Sequence, residues 1–244
     1  MAPDRAALVY EHVARAAAAR HESVSNAVLC EVACTLLGAD GASVALMTAA
    51  DEGEPPPRVR QEPLAAAGGG SLRVEELQLA TGEGPSLAAF TQQQPVLVPD
   101  LAATAQWPGF ASAAGQQHVA AMFAFPLRAA GSCAGVFTAH RMRRGALSSL
   151  QLADAHHLAA LSDWLLLTGA GDLAAVRGRD GPAAERDEVH QATGMLAVQL
   201  GVGLGAAFDR LRGHAFVADL ALAEVAHAVV ERRLVLDSDI NRDP

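Results

Sequence analysis

Apolar positions along the chain switch between helical and strand periodicity, and each switch marks an element. Residues 6–20 (AALVYEHVARAAAAR) are dominated by good helix formers and predict a helix. Val24, Val28, Leu29, Val32 and Leu36 keep helical spacing through the next stretch, with Ala27, Cys30, Cys34 and Leu37 widening its apolar surface. Gly38 ends that second helix as a C′ glycine would. GASVALMTA (41–49) predicts a buried strand and DEGEPPP (51–57) a turn. RVRQEPLAAA (58–67) fits a strand and VEELQLA (74–80) a short helix, around Gly68–Gly70. Residues 81–101 give a glycine-rich turn, a short helix and the strand Val96–Val98, stopped by Pro99 and Asp100. HVAAMFAFPLRAA (118–130) and GSCAGVFTAH (131–140) form a hairpin around Ala129–Gly131. Residues 148–168 predict an amphipathic helix through Leu150, Leu152, Ala155, Leu158, Ala159, Leu161 and Leu165–Leu166.

This order of helix, strands, helix, strands, helix implies an α+β fold, an antiparallel sheet flanked by helices. Residues 169–182, rich in Gly, Asp and Arg, read as a linker. Three short helical patterns follow. The first begins at Pro182, with Glu185, Asp187 and Glu188 at its positive end, and buries Val189, Ala192, Leu196 and Leu200 before Gly201. The second carries Leu204, Ala207–Phe208, Leu211 and Ala215. The third runs from near Asp219 to near Leu234 with Leu222, Val225–Ala226 and Val229–Val230 inward. Together they predict an all-α three-helix bundle. The expected organisation is a first domain over 1–168, the linker, a bundle over 183–235 and a tail over 236–244.

Composition narrows the chemistry. Hydrophobic residues make up 51% and aromatic ones 4%, so the core is sizeable and aliphatic. A net charge of −9 is the wrong sign for unaided, non-specific binding to nucleic acid or anionic membrane. All 18 basic residues are Arg, which excludes lysine Schiff bases and a P-loop. Three cysteines are too few for a disulfide scaffold. Charges interrupt the N-terminal apolar runs, and no stretch of about eighteen apolar residues occurs, so a reduced cytoplasmic protein off the membrane is expected. The Ala/Leu-rich stripes of 6–37 and 148–168 exceed what one modest sheet covers, which predicts a homodimer.

Isolated chemical groups form no reacting set. Cys30 and Cys34 share a helix face but are held too far apart for an unstrained disulfide, and no second ligand pair follows, so both read as buried thiols. Ser86 in Gly84-Pro-Ser-Leu-Ala88 lacks the final glycine of a nucleophile elbow. Gly201-Val-Gly203-Leu-Gly205 follows a helix, not a strand, and reads as a helix–helix turn. His156 and His157 point apart on their helix. The sequence implies no catalytic residue, no metal and no cofactor.

One set of motifs runs through Gln78, Gly82-Glu-Gly-Pro85, Pro95-Val-Leu-Val-Pro-Asp-Leu101, Trp107-Pro-Gly-Phe110, Phe125-Pro-Leu-Arg128 and Gly135-Val-Phe137. Through them residues 78–139 resemble a GAF domain of the actinobacterial signalling type, and the likeness extends more weakly over about 22–168. The resemblance implies a sheet with packed helices that binds a small molecule or dimerises. Trp107, Phe123 and Phe125 are candidates for a ligand pocket, with Ser86 standing where the family often has Cys. Thiol chemistry at that position is lost.

A second set runs through Val189-His-Gln-Ala-Thr-Gly-Met-Leu196, Gly201-Val202, Ala207-Phe208, Leu211-Arg212, Ala215 and Leu222-x-x-Val-Ala226. Through it residues 186–235 resemble an ANTAR domain, the RNA-binding output module of transcription antiterminators. The resemblance implies a regulator whose sensor domain controls binding to RNA hairpins in nascent transcripts. Gln191, Thr193, Arg210, Arg212 and His214 are polar positions expected to face RNA. Two departures stand out: Thr193 replaces the family's usual Lys, and Gly203 replaces a stronger helix cap. Five Arg face seven acidic residues over 183–235, a net charge of −2. That balance supports a second reading, a bundle that docks a protein partner. A third class, an enzyme acting through Cys30 and Cys34 or Ser86, rests on single residues.

Overall fold

A computed structural model describes residues 5–50, 58–129, 132–168, 182–202, 204–218 and 220–235. The chain divides into two compact units, residues 1–176 and 177–244. The turn expected at 51–57 lies outside the described residues, as does all of the expected linker except Pro182.

The first unit starts with α1 (Arg5–Ala19) and α2 (Asn26–Leu37). Ser25 caps α2 by accepting from the Val28 N–H, and Gly38 ends it at φ +56°. Then come β1 (Gly41–Ala50), β2 (Arg58–Gly68), α3 (Ser71–Thr81), α4 (Pro85–Gln92) and β3 (Val96–Val98). A single 3-10 turn at Leu101–Ala103 leads to α5 (Pro108–Gln116), β4 (Ala121–Ala129), β5 (Ser132–Arg141) and α6 (Ser149–Thr168). The five strands form one antiparallel sheet in the order β2-β1-β5-β4-β3. Pro63 falls on the edge strand β2, beside the register shift opposite Val44 and Ala45, where a missing N–H is tolerated.

Strand alternation sorts the side chains between two faces. On one face Ala42, Val44, Phe123, Phe125, Leu127, Phe137 and Ala139 form the main core with α1, α2 and α6. Polar contacts hold these helices in place. Asp154 of α6, itself buried, pairs with Arg5 of α1, and Ser162 donates to Asn26 Oδ1 at 2.7 Å. The buried Arg141 lies over the Phe123 ring, 5.3 Å from its centroid, and donates to the Leu37 carbonyl at the end of α2 and to Gln151 of α6. On the opposite face Met47, Ala124 and Val136 pack with Ala89 of α4, while Val74, Leu77, Phe110 and Met122 join α3 and α5 to β4.

The second unit contains α7 (Pro182–Leu200), α8 (Leu204–Ala218) and α9 (Leu222–Val230). Ala192, Leu196, Ala207, Leu211, Ala215, Leu222, Val225, Ala226 and Val229 are buried. Gly201, at φ +64°, ends α7. Among the described residues no single helix is long and apolar enough to cross a membrane.

One close approach fixes the sheet centre. Gly135 lies opposite Leu46, and a Cβ there would sit 2.3 Å from the Ala45 carbonyl oxygen. Because that obstacle is backbone, Gly135→Ala is expected to destabilise the first unit by about 1–3 kcal/mol. Thermal denaturation checks this; an unchanged melting temperature would show that β1 and β5 separate without cost.

Candidate functional site

The α3–α4 face of the sheet carries a polar cluster that sequence reasoning did not find. Ser71, Val74, Glu75 and Gln78 recur at helical spacing on the inner stripe of α3, so the period that buries Val74 also buries a carboxylate. Glu75 is 2% exposed. Its Oε1 accepts from Ser43 Oγ of β1 at 2.8 Å and Thr138 Oγ1 of β5 at 2.6 Å. Its Oε2 accepts from Gln78 Nε2 at 3.0 Å, Ser86 Oγ of α4 at 3.3 Å and Gln61 Nε2 of β2. Five donors from five elements therefore hold one anion, the arrangement that makes a buried carboxylate tolerable. Gln61 Oε1 is also buried and has no hydrogen-bond partner among the described residues.

Gln78 ties this cluster to the turn before α4. Its Oε1 accepts from the Ser86 N–H at 2.7 Å and its Nε2 donates to Ser86 Oγ at 2.7 Å. Gly84, at φ +142°, leaves the room this needs, since a Cβ there would lie 2.5 Å from Gln78 Oε1. Glu83 reaches the other way and caps α5, accepting from the N–H groups of Gly109 at 2.7 Å and Phe110 at 3.0 Å. The Gln78, Gly82–Pro85 and Trp107–Phe110 segments are thus one hydrogen-bonded assembly.

The four expected pocket residues do not meet. Ser86 is fully buried in the cluster just described, and half-buried Trp107 packs on the neighbouring α3–α5 core of the same face. Phe123 and Phe125 lie on the opposite face, in the core beneath α1, α2 and α6. The cause is the two-residue period of β4, which directs Met122 and Ala124 toward α3–α5 and the two phenylalanines away. Phe125 there meets His156 edge-on, with 5.3 Å between centroids.

The reactive groups are quiet. Cys30 is fully buried, and burial pushes the Cys34 and Cys133 thiols above their ordinary values, which leaves little nucleophilic thiolate near neutral pH. Ser86 Oγ donates to Glu75 Oε2 and accepts from Gln78 Nε2 at 2.7 Å, inside the buried cluster. Among the described residues no cluster of three His, Cys, Asp or Glu is arranged to hold a metal.

In the second unit Gln191 is exposed, and Arg210, Arg212 and His214 are partly exposed. Arg212 pairs with Asp209 at 3.3 Å. Arg210 Nη1 is buried without a partner among the described residues. Thr193 is 8% exposed and donates to the Val189 carbonyl at 2.7 Å, because it follows Val189 by four residues on the inward stripe with Ala192 and Leu196. His227 of α9 lies 3.1 Å from Glu188 of α7 and 3.3 Å from Glu231, tying the first and third helices together.

Residues 21–162 match the GAF domain family and residues 183–230 match the ANTAR domain. No curated protein matches the chain in sequence. Among solved structures, the chain is similar to the GAF domain of the Acinetobacter phosphoenolpyruvate-protein phosphotransferase. Identity is 14%, coverage is 65% of this chain and 92% of that one, and the TM-score is 0.47. The corresponding domain from Coxiella burnetii gives 18% identity, 69% and 100% coverage and a TM-score of 0.46. The free methionine-R-sulfoxide reductase of Neisseria meningitidis, solved with its substrate, gives 17% identity, 67% and 91% coverage and a TM-score of 0.41.

Two substitutions probe this face. Glu75→Gln places an amide N–H₂ against groups that donate to the carboxylate, and is expected to cost about 2–4 kcal/mol of stability. Denaturant unfolding measures it, and an unchanged midpoint would show the donors simply turn to other acceptors. The second concerns pH. Burial holds the His140 imidazole below its ordinary value of 6.5, partly offset by the Gly69 backbone and Asp40. The folded chain keeps His140 neutral while the unfolded chain takes up a proton below about pH 6.5. Stability is therefore level above that pH and falls as pH drops below it. His140→Phe is expected to flatten the fall between pH 7 and 5; an identical slope would clear His140 of it.

Proposed function

Because the chain belongs to the GAF domain family and carries an ANTAR domain behind it, we propose that this signal-responsive regulator binds RNA hairpins in nascent transcripts and thereby controls transcription termination. Both domains are regulatory, not catalytic. The observation that carries the reading is their order on one chain, an input domain followed by an output domain. The working cycle is non-catalytic: a signal at the first domain alters the presentation of the second, which then stabilises one RNA hairpin over its competitor.

On the input side, the α3–α4 face is where a small molecule acts. It brings polar groups from β1, β2, α3, α4 and β5 together, and Gln61 Oε1 offers an unused buried acceptor there. Ser86 and Trp107 stand on that side of the sheet. The protein works as a cytoplasmic homodimer in this reading. Exposed Leu150, Trp164 and Leu167 on α6, and an apolar groove between α1 and α2 lined by Ala16, Ala19, Val32 and Leu36, support self-association through these helices.

On the output side, Gln191, Arg210, Arg212 and His214 meet the RNA. A net charge of −2 over 183–235 means that recognition rests on specific loop contacts and not on a general attraction to phosphate. Capture of stem-loop RNAs from a pool with randomised loops, by the full chain, tests the reading. Specific enrichment of one loop family is expected. Arg212→Ala should weaken binding to the enriched RNA by about 1–3 kcal/mol with helical content unchanged. Recovery of no stem-loop by the parent protein would overturn RNA binding and favour a protein-docking bundle; unchanged affinity would remove Arg212 alone.

A further inference from the structure

Aromatic side chains are scarce in this chain, and all but three of those described are buried or half-buried. Phe216 of α8 is the most exposed, at 62%. Its position follows from the helix. Ala207, Leu211 and Ala215 are the inward stripe of α8, and the 100° step per residue places Asp209, Gly213 and Phe216 on the outer side. An outward Phe contributes nothing to the bundle core, so the fold does not account for it.

Its neighbours give it a use. Gly213 precedes Phe216 by one turn and is exposed, and nothing lies within 4 Å of where its Cβ would stand. The bare backbone there leaves a gap one side chain wide on the helix surface. Phe216 and Val217 flank it on one side, and Asp209 and Arg210 on the other, at the three- and four-residue spacings that make helix neighbours. Arg212 reaches the same region through its 3.3 Å contact with Asp209. One notch therefore presents an apolar ring face, a carboxylate acceptor and a guanidinium donor together.

We propose that this notch receives one unpaired nucleobase of the RNA loop, stacked on Phe216 with its edge toward Asp209 and Arg212. The inference rests on the RNA-binding reading and names the group that would give it base contact. An unpaired base meets each feature at once. Its flat face stacks on an aromatic ring, its edge carries both donors and acceptors, and its exposure is confined to loops and bulges. A purely apolar protein surface seated on Phe216 would have to strip water from Asp209 and Arg212 without replacing their hydrogen bonds. Contact through a base also suits a bundle whose net charge is negative, since stacking needs no excess of cations.

The test uses the full chain and the stem-loop RNA enriched from the randomised-loop pool, with 2-aminopurine placed at each loop position in turn. Phe216→Ala is expected to weaken binding about tenfold or more, and Phe216→Trp to retain it. One loop position should show fluorescence quenching with the parent protein and none with Phe216→Ala. Gly213→Leu provides a variant that cannot fail by unfolding for want of helix propensity, since Leu favours the helix more than Gly does. Its side chain fills the notch and is expected to cost about tenfold in affinity while raising the melting temperature. Parent-like affinity in both Phe216→Ala and Gly213→Leu, with quenching intact, would overturn the base notch and leave RNA binding standing. A parent protein that captures no stem-loop at all would overturn both.

Discussion

A charged carboxylate inside a protein must be met by enough donors to replace its water, and the first domain is organised around one such requirement. Glu75 cannot leave the α3–α4 face, because the helical period that places it inward also anchors Val74 and Gln78. Satisfying it demands Ser43 and Thr138 side by side on β1 and β5, where the strand register pairs them directly. It demands Gln61 from the edge strand and Ser86 from the turn into α4. Each donor is supplied by a different element, so the register of the sheet, the seat of α3 and the turn at Gly84 are fixed together. Displacing any one of them strands a buried charge or leaves a donor unpaired. This face therefore differs from the apolar face beneath α1, α2 and α6: its order depends on hydrogen bonds converging on Glu75.

The residues that carry the GAF resemblance take their meaning from the same constraint. Gln78 is the clasp between α3 and Ser86, and Gly84 makes room for it. Glu83 looks outward from the same turn to cap α5 at Gly109 and Phe110, where a Cβ on Gly109 would lie 3.0 Å from the capping oxygen. Asp100 caps the 3-10 turn through the Ala102 N–H and pairs with Arg144. None of these groups has the surroundings of a reacting residue. They place backbone, and a short string of Gly, Glu and Pro is legible as a family pattern because it performs several positioning tasks that few other residues perform.

What the sequence disclosed, and what it withheld, follows from whether the cause was local. The strands at 41–50 and 121–141, the long helix 149–168 and the three C-terminal helices announced themselves through periodicity, and β2 and α3 emerged where RVRQEPLAAA and VEELQLA suggested them. The helix at 108–116 did not, because Gly109, Ser112 and Gly115 weaken its local pattern and its cap comes from Glu83, twenty-six residues earlier. Glu75 was hidden for the opposite reason. A carboxylate in a short helix reads as a solvated residue until the partners from β1, β2 and β5 are brought to it. The placement of Thr193 and Phe123 has a local cause: the stripe through Val189 and Ala192 contains Thr193, and the alternation of β4 sets Phe123 against Ala124.

The two faces of the sheet also differ in what lies beyond them. The polar face is closed by α3, α4 and α5, whose hydrogen bonds are local to the first domain. The apolar face is closed by α1, α2 and α6, and α6 is the last described element of the first unit. Its seat is not purely hydrophobic. Asp154 holds α1, Ser162 holds α2, and Asp163 accepts from the Arg128 N–H of β4 at 2.7 Å. Directional contacts of this kind have discrete geometries, whereas an aliphatic interface alone tolerates small sliding. The contacts of Asp163 with Arg128 of β4 and of Gln151 with Arg141 of β5 tie α6 to the sheet through hydrogen bonds that either persist or break when a strand moves.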